Sequence, residues 1–356
     1  MRLAEIIANA RRAKAQTGRG VIAQLIDIAR LRLLGNGVLA ETYFNFRLFD
    51  PGMPFAAKAR FAGPWIKNRI YRIQDPQTAR LCNDKLRAYR YFEDHGFAYP
   101  RVLAATHPAV ELPGMEALRS PGAIANWLAE RAPYPFFVKP AASYLGYGNK
   151  LVAARDGDWL LLGNGERIAV DAFVQQHGAP DRPVMLFQEL IRPHPILQRH
   201  IGDRAATARI IVYNDRSEPE IIAAGLRIPT GTSMTDNFQS GRSGNLMTFV
   251  DLDSGRLTRV LAGLGIDWRE VETHPDTGQR LLDLEIPDWR AALDLVIRGS
   301  RALPGLKIHG WDVAFSDKGP LLVETNPRSD VNLVQLGRGR GIVDDRFLGM
   351  YPQGRL

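Results

Sequence analysis

A mixed protein of helices and strands, α+β or α/β, divided into two domains or subdomains is the class that the sequence predicts, and three observations predict it. The chain has 356 residues, long for one compact domain and ample for a sizeable core. Its composition is that of an ordinary globular protein, with 45% hydrophobic and 24% charged residues. From residue 76 onward, stretches with strand and helix character mix without a repeat period or a low-complexity tract. The composition also excludes some classes. No apolar run approaches the roughly 20 residues of a membrane span, and Glu5 and Asn9 interrupt the place of a signal peptide, so the chain reads as cytoplasmic. Cys82 is the only cysteine, which rules out a disulfide framework or a cysteine zinc site and leaves a small buried apolar side chain.

The N-terminal fifth differs from the rest. Residues 1–75 hold 13 Lys and Arg against 5 Asp and Glu, whereas residues 76–356 hold 33 of each, so the whole surplus of +8 sits at one end. That argues against a nucleic-acid protein with a basic groove through its body, and for a basic appendage that could meet an anionic membrane or an acidic partner. Helical spacing of Leu3, Ile6, Ile7 and Ala10, a break at Gly18–Gly20, and renewed spacing of Val21, Ile22, Leu25, Ile26, Ile28 and Ala29 predict two helical pieces over residues 2–34. Such a basic amphipathic helix lies on a membrane surface or packs on its own domain with a solvated basic face. "LFDPGMPFAAKARFAGPW" is loop-rich and closes the region. A helix from about Pro76 to Glu93, a stop at Gly96 and a strand after Pro100 come next.

Four later stretches carry candidate chemistry. "YPFFVKPAASYLGYGNKLV", residues 134–152, reads as a strand ending in Lys139, a small-residue turn and a second strand from Lys150. Ser143, Gly146 and Gly148 would let backbone N–H groups approach a polyphosphate beside the Lys139 charge, although an ordinary Gly-containing hairpin has the same pattern and no Walker sequence follows. "VMLFQELIRPHPIL" is a strand that breaks at Glu189 and Arg192 into an irregular segment suited to the edge of an adenine ring, with His194 either a ribose contact or a surface imidazole. "ATARIIVYND" sets Arg209 on one face of a strand with Thr207 and Ile211, as a solvent-facing residue or an anion clamp. "NFQSGRSGNLMTF" offers Asn237, Arg242 and Asn245 in a Gly-rich loop, an acceptor contact or a polar surface hairpin.

A further stretch, "GWDVAFSDKGPLLVETNPRSD", reads as a hairpin turning at "DKG" with Gly319 in the left-handed position. Setting Ser316 opposite Pro320 puts Asp312 across from Glu324, with Asn326 on the same face and Trp311, Val313, Phe315, Leu321 and Val323 on the core side. Two facing carboxylates repel unless a cation lies between them, and a hard ion such as Mg²⁺ with phosphates completing its shell fits this donor set. An acidic sheet face with Lys or Arg neighbours is the competing reading.

Taken together, "ETYFNFRLFD", "NDKLRAYRYFEDHGFAYP", "FFVKPAASYLGYGNK", "FQELIRPHPIL", "TARIIVYN", "GRSGNLMTFVDLDSGRL" and the hairpin resemble the sugar-transfer associated ATP-grasp family over about residues 40–347. The resemblance implies an α+β fold of two lobes gripping ATP: a helical N-terminal region 1–75, a first lobe 76–195, a second lobe 196–347 and a tail 348–356. It implies that Lys85 and Lys139 meet ATP phosphates under the loop from Ser143 to Gly148. Glu189, Leu190 and Ile191 would form the adenine hinge, with His194 the nearest candidate for the ribose. Asp312, Glu324 and Asn326 would hold Mg²⁺, and Arg209 and Arg328 would stabilise an anionic transition state. The activity implied is ligation through an acyl phosphate on a small-molecule or saccharide-linked substrate, with phosphotransfer to a hydroxyl or nucleotide binding without turnover as rivals. A basic helical start in place of the usual N-terminal Rossmann-like domain leaves the acceptor site open.

Overall fold

Apolar stretches bounded by Gly, Pro and Asp become the strands of two seven-stranded sheets in a computed structural model that describes residues 1–33, 37–142, 148–231, 236–238, 243–263 and 265–351. The first sheet comprises β1 (Val102–Thr106), β2 (Glu116–Leu118), β3 (Phe136–Pro140), β4 (Lys150–Asp156), β5 (Trp159–Leu162), β6 (Arg167–Ala169) and β7 (Met185–Glu189) in the order β2-β1-β7-β3-β4-β5-β6. Only the β1–β2 pair is parallel. The second comprises β8 (Thr207–Tyr213), β9 (Glu220–Ile228), β10 (Leu246–Val250), β11 (Leu257–Ala262), β12 (Arg269–Glu270), β13 (Ile308–Ser316) and β14 (Gly319–Asn326), ordered β12-β11-β10-β9-β8-β13-β14 and antiparallel throughout. Sheets with helices packed beside them make this an α+β protein.

Each sheet has its own core. Phe136 and Phe187 of the first pack with Trp127 and Phe173 from the helices Pro121–Glu130 and Val170–His177. The second buries Ala208, Ile210, Val212 and Trp311 against the helix Trp289–Ala302. Helix Lys85–Asp94 joins the two, because its Phe92 ring lies 5.7 Å from Trp311 while the Lys85 N–H donates to the Ala141 carbonyl at 2.9 Å. The single helix expected over 76–93 is in fact two, Pro76–Asn83 and Lys85–Asp94. Asp84 between them is extended, and its carboxylate accepts from Leu86 and Arg87 N–H at 3.0 and 3.2 Å as an N-cap.

The N-terminal region is helical as expected, Leu3–Thr17 and Val21–Leu33 followed by shorter helices at Ala40–Asn45, Phe55–Lys58 and Ile66–Arg72. Ala10, Ala13, Leu31, Tyr43 and Phe44 share a core cluster with Ile266 of the turn between β11 and β12, where Arg12 pairs with Asp267, while Ile66 and Ile70 pack on Ile211 and Ile308 of the second sheet. The tail expected from residue 348 is packed through Tyr351, since Met350 and Tyr351 are buried with Ile66, Ile70 and Phe347. Among the described residues no helix is long and apolar enough to cross a membrane.

Candidate active site

The β13–β14 hairpin turns one residue earlier than the pattern suggests, with Ser316 opposite Gly319 and Phe315 opposite Pro320. A bulge between Asp312 and Val313 then takes up the extra residue Val323, so that Asp312 does face Glu324. The bulge reverses the alternation below it. Leu322, not Leu321 or Val323, joins Trp311, Val313 and Phe315 in the core, while Val323 and Glu324 both line the cavity on the other side.

That cavity, of about 750 Å³, collects most of the candidate residues: Lys85, Lys139, Glu189, Leu190, Ile191, Arg209, Asp312, Glu324, Asn326 and Arg328. Both lysines are buried. Lys139 Nζ donates to the Tyr89 hydroxyl at 3.0 Å, which donates in turn to the Val323 carbonyl at 2.7 Å. Burial pushes the Lys139 ammonium down to about 8, against the pull of Glu324 and Asp312. Lys85 Nζ lies 3.8 Å from Glu324 Oε1.

Neither carboxylate of the facing pair lacks a cation. Arg209 grips both oxygens of Asp312, its Nη2 at 3.1 Å, and Arg227 Nη2 lies 3.1 Å from Oδ2. Burial alone would raise Asp312, but the two guanidiniums hold it below the usual carboxylate range. Arg227 also donates to Thr207 and lies 3.5 Å from Asp236, whose own carboxyl is raised by burial. The contacts are those of an acidic face with basic neighbours, and Asp312 and Glu324 both line the cavity. Asn326 shares the site, its Nδ2 buried without a partner among the described residues. No group of three or more His, Cys, Asp or Glu that could hold a metal gathers among the described residues, so a bound cation would take oxygens from the amide and from its ligand as well.

Other expectations fare differently. His194 is absent from the cavity lining; its Nδ1 accepts from the Ile196 N–H at 3.2 Å and caps a helix, Pro195–Ile201, where an irregular segment was expected. The imidazole is half-buried there. Gly148 has φ +80°, and an added Cβ would meet Pro140 Cγ at 3.0 Å, so a glycine is required there by the turn itself. Ser143 and Gly146 lie outside the described residues, as does Arg242. Asn237 lines the cavity, but Asn245 is a buried brace that accepts from Thr230 N–H at 3.0 Å and donates to the Asn237 carbonyl at 2.9 Å. Arg328 is exposed at the cavity edge and donates to Asn68 Oδ1.

Sequence reasoning missed two contributors. Arg227, an arginine in the apolar strand "IIAAGLRI", carries the same signal as Arg209 and could have been found by it. The second is a part of the cavity lining, Glu41, Thr42, Asn45, Phe46, Pro64 and Lys67 of the N-terminal region. No periodicity marks those residues.

Residues 67–347 match the family described as sugar-transfer associated ATP-grasp, a start later than the residue 40 that the motifs suggested. Among solved structures, the ATP-grasp ligase PsnB complexed with minimal precursor is 18% identical with a TM-score of 0.37, over 76% of this chain and 59% of that one. The ADP complex of purK, an N5-carboxyaminoimidazole ribonucleotide synthetase, is 10% identical with a TM-score of 0.42, over 72% and 48%. The N5-carboxyaminoimidazole ribonucleotide synthetase from Thermotoga maritima is 12% identical with a TM-score of 0.36, over 71% and 43%. The chain therefore spans about half the length of the solved structures it matches. No curated protein matches it.

Proposed function

The chain belongs to the sugar-transfer associated ATP-grasp family, and from that premise we propose that it is a Mg²⁺- and ATP-dependent ligase joining a carboxylate to an amine or another nucleophile. The observation that carries this reading is the meeting, in one cavity, of the buried lysines 85 and 139 with Glu324, Asn326 and the Asp312–Arg209 pair. Two buried ammonium groups beside carboxylates that are already paired with cations suit a polyanion that arrives with its own cation. Asp312, Glu324 and Asn326 supply hard oxygen donors, and the Asn326 amide, whose Nδ2 has no partner among the described residues, can turn its oxygen inward. When bound there, Mg²⁺ neutralises charge on the phosphates.

In the chemistry proposed, a carboxylate oxygen of the substrate attacks the γ-phosphorus of ATP, the bond to the β–γ bridging oxygen breaks and ADP leaves. The nucleophile then attacks the acyl carbon, phosphate departs, and the nucleophile's proton passes to solvent. Lys85 and Lys139 hold phosphate oxygens, and Arg209 and Arg328 offset the negative charge that develops. Glu189 to Ile191, at the end of β7, border the adenine. The acceptor occupies the end walled by residues 41–67 and Asn237. The family's description favours a saccharide-linked substrate in polysaccharide or cell-envelope metabolism, in the compartment where ATP is made available, the cytoplasm.

An ADP-release screen of carboxylates and amines with Mg²⁺ tests the reading, with hydroxylamine as the trap. Hydroxamate formed only with ATP and the carboxylate substrate is the expected result. A stable phosphorylated product and no hydroxamate would make the protein a phosphotransferase, and bound nucleotide without ADP release across the screen would make it a binding protein.

A further inference from the structure

The helix Val21–Leu33 has apolar residues on both faces. Its inward face carries Gln24, Asp27 and Leu31, with Val21 and Ile28 packed beside them. Gln24 Nε2 donates to the Ala10 and Arg19 carbonyls at 2.9 Å each, and Asp27 holds Arg19 at 2.6 Å and Lys58 at 3.0 Å. The outward face carries Ile22, Ile26, Ala29 and Leu33, whose spacing of four, three and four residues makes one stripe. Ile22, Ile26 and Leu33 are 75%, 52% and 86% exposed. At about 100° per residue, Arg30 and Arg32 fall on opposite sides of that stripe. A continuous aliphatic strip at the surface marks a contact site, whereas scattered apolar residues would not.

Charge decides what covers it. The whole surplus of +8 lies in residues 1–75. Arg11, Lys14, Arg30 and Arg32 form no ion pair among the described residues, Arg30 lying instead over the Phe55 ring at 3.9 Å. A second copy of the chain would bring like charges together on either side of the stripe. We propose that this face docks on an anionic lipid bilayer, with the helix Val21–Leu33 lying in the plane of the interface. Ile22, Ile26 and Leu33 enter the acyl boundary, and the flanking arginines sit among headgroup phosphates. This docking does not depend on the chemistry assigned to the cavity.

Co-sedimentation of the full chain with vesicles tests the proposal. Binding is expected to equimolar phosphatidylcholine and phosphatidylglycerol but not to phosphatidylcholine alone, and to weaken as salt is raised. Arg30→Gln with Arg32→Gln should weaken it about fivefold per charge removed. Ile26→Ser with Leu33→Ser should abolish it, while melting temperature and nucleotide affinity stay those of the parent because both positions are exposed. Equal binding to neutral vesicles, or full binding by the serine variant, would overturn the proposal. So would a concentration-dependent dimer in sedimentation velocity that the serine variant abolishes, since the stripe would then be a self-association surface.

Discussion

Asp312 and Glu324 face each other across two strands, yet their charges are balanced by different partners, and neutralising them should have different consequences. Asp312→Asn leaves Arg209 and Arg227 in a buried cluster without their shared carboxylate, a change worth about 3–5 kcal/mol of destabilisation. Glu324→Gln removes a partly exposed partner 3.8 Å from Lys85 and should alter stability by less than about 1 kcal/mol. Both should lose most ADP release with Mg²⁺. Urea unfolding beside the turnover assay checks the contrast, and equal stability of the two variants would remove it. Lys139 gives a second expectation at this scale. Its ammonium titrates at about 8 in the free protein because it is buried. Bound phosphate favours the charged form, so nucleotide affinity should be constant below pH 8 and fall by up to about tenfold per unit above it. Calorimetric titration at pH 7 and pH 9 reads this directly. In Lys139→Ala binding should be weaker at both, with no loss between them from this group.

Lys85 reaches the site because a helix stops and starts again just before it. The Asp84 carboxylate caps the second helix by accepting from Leu86 and Arg87 N–H, which fixes the direction in which Lys85 leaves the first turn. Asp84→Ala should cost about 1 kcal/mol of stability and weaken nucleotide binding. Asp84→Asn, which keeps a capping oxygen, should restore both; a variant that lost the stability and kept the affinity would separate cap from site. This element also shows where local reading ends. Apolar periodicity runs unbroken from Pro76 to Glu93, so one helix was legible and its interruption by a single capping aspartate was not. Turn residues made the β13–β14 hairpin legible, and with it the Asp312–Glu324 pair, whereas the bulge at Val323 left no mark in composition. Next to Pro195, the His194 imidazole satisfies a helix N–H through Nδ1, a local role that the sequence did not suggest.

Over the whole molecule, legibility follows sequence separation. Lys139, Arg209 and the hairpin acids each sit in a strand whose alternation shows its two faces, so their sides of the sheets were readable. That Arg209 and Arg227 would both close on Asp312 depends on β8 lying between β9 and β13, an order no local pattern specifies. The wall from Glu41 to Lys67 depends on still longer contacts, through which the N-terminal helices pack on Ile266 and are held by the buried Asp27–Lys58–Arg19 cluster. The lysines and hairpin acids are set by other elements, and the N-terminal region meets them at its border, where Lys67 pairs with Asp330 and Asn68 accepts from Arg328. The two groups of lining residues should therefore respond separately when the N-terminal helices are loosened. Lys58→Ala takes a fully buried ammonium from Asp27, leaving Arg19 and the Tyr43 hydroxyl beside it among the described residues, and should cost about 3 kcal/mol within that region. Nucleotide affinity by calorimetry should then change less than about threefold, well under 1.4 kcal/mol, while KM for the second substrate rises much more. Loss of nucleotide binding in step with the acceptor KM, in a variant whose two sheets still unfold cooperatively, would mean that the N-terminal region organises the whole cavity and not one wall of it.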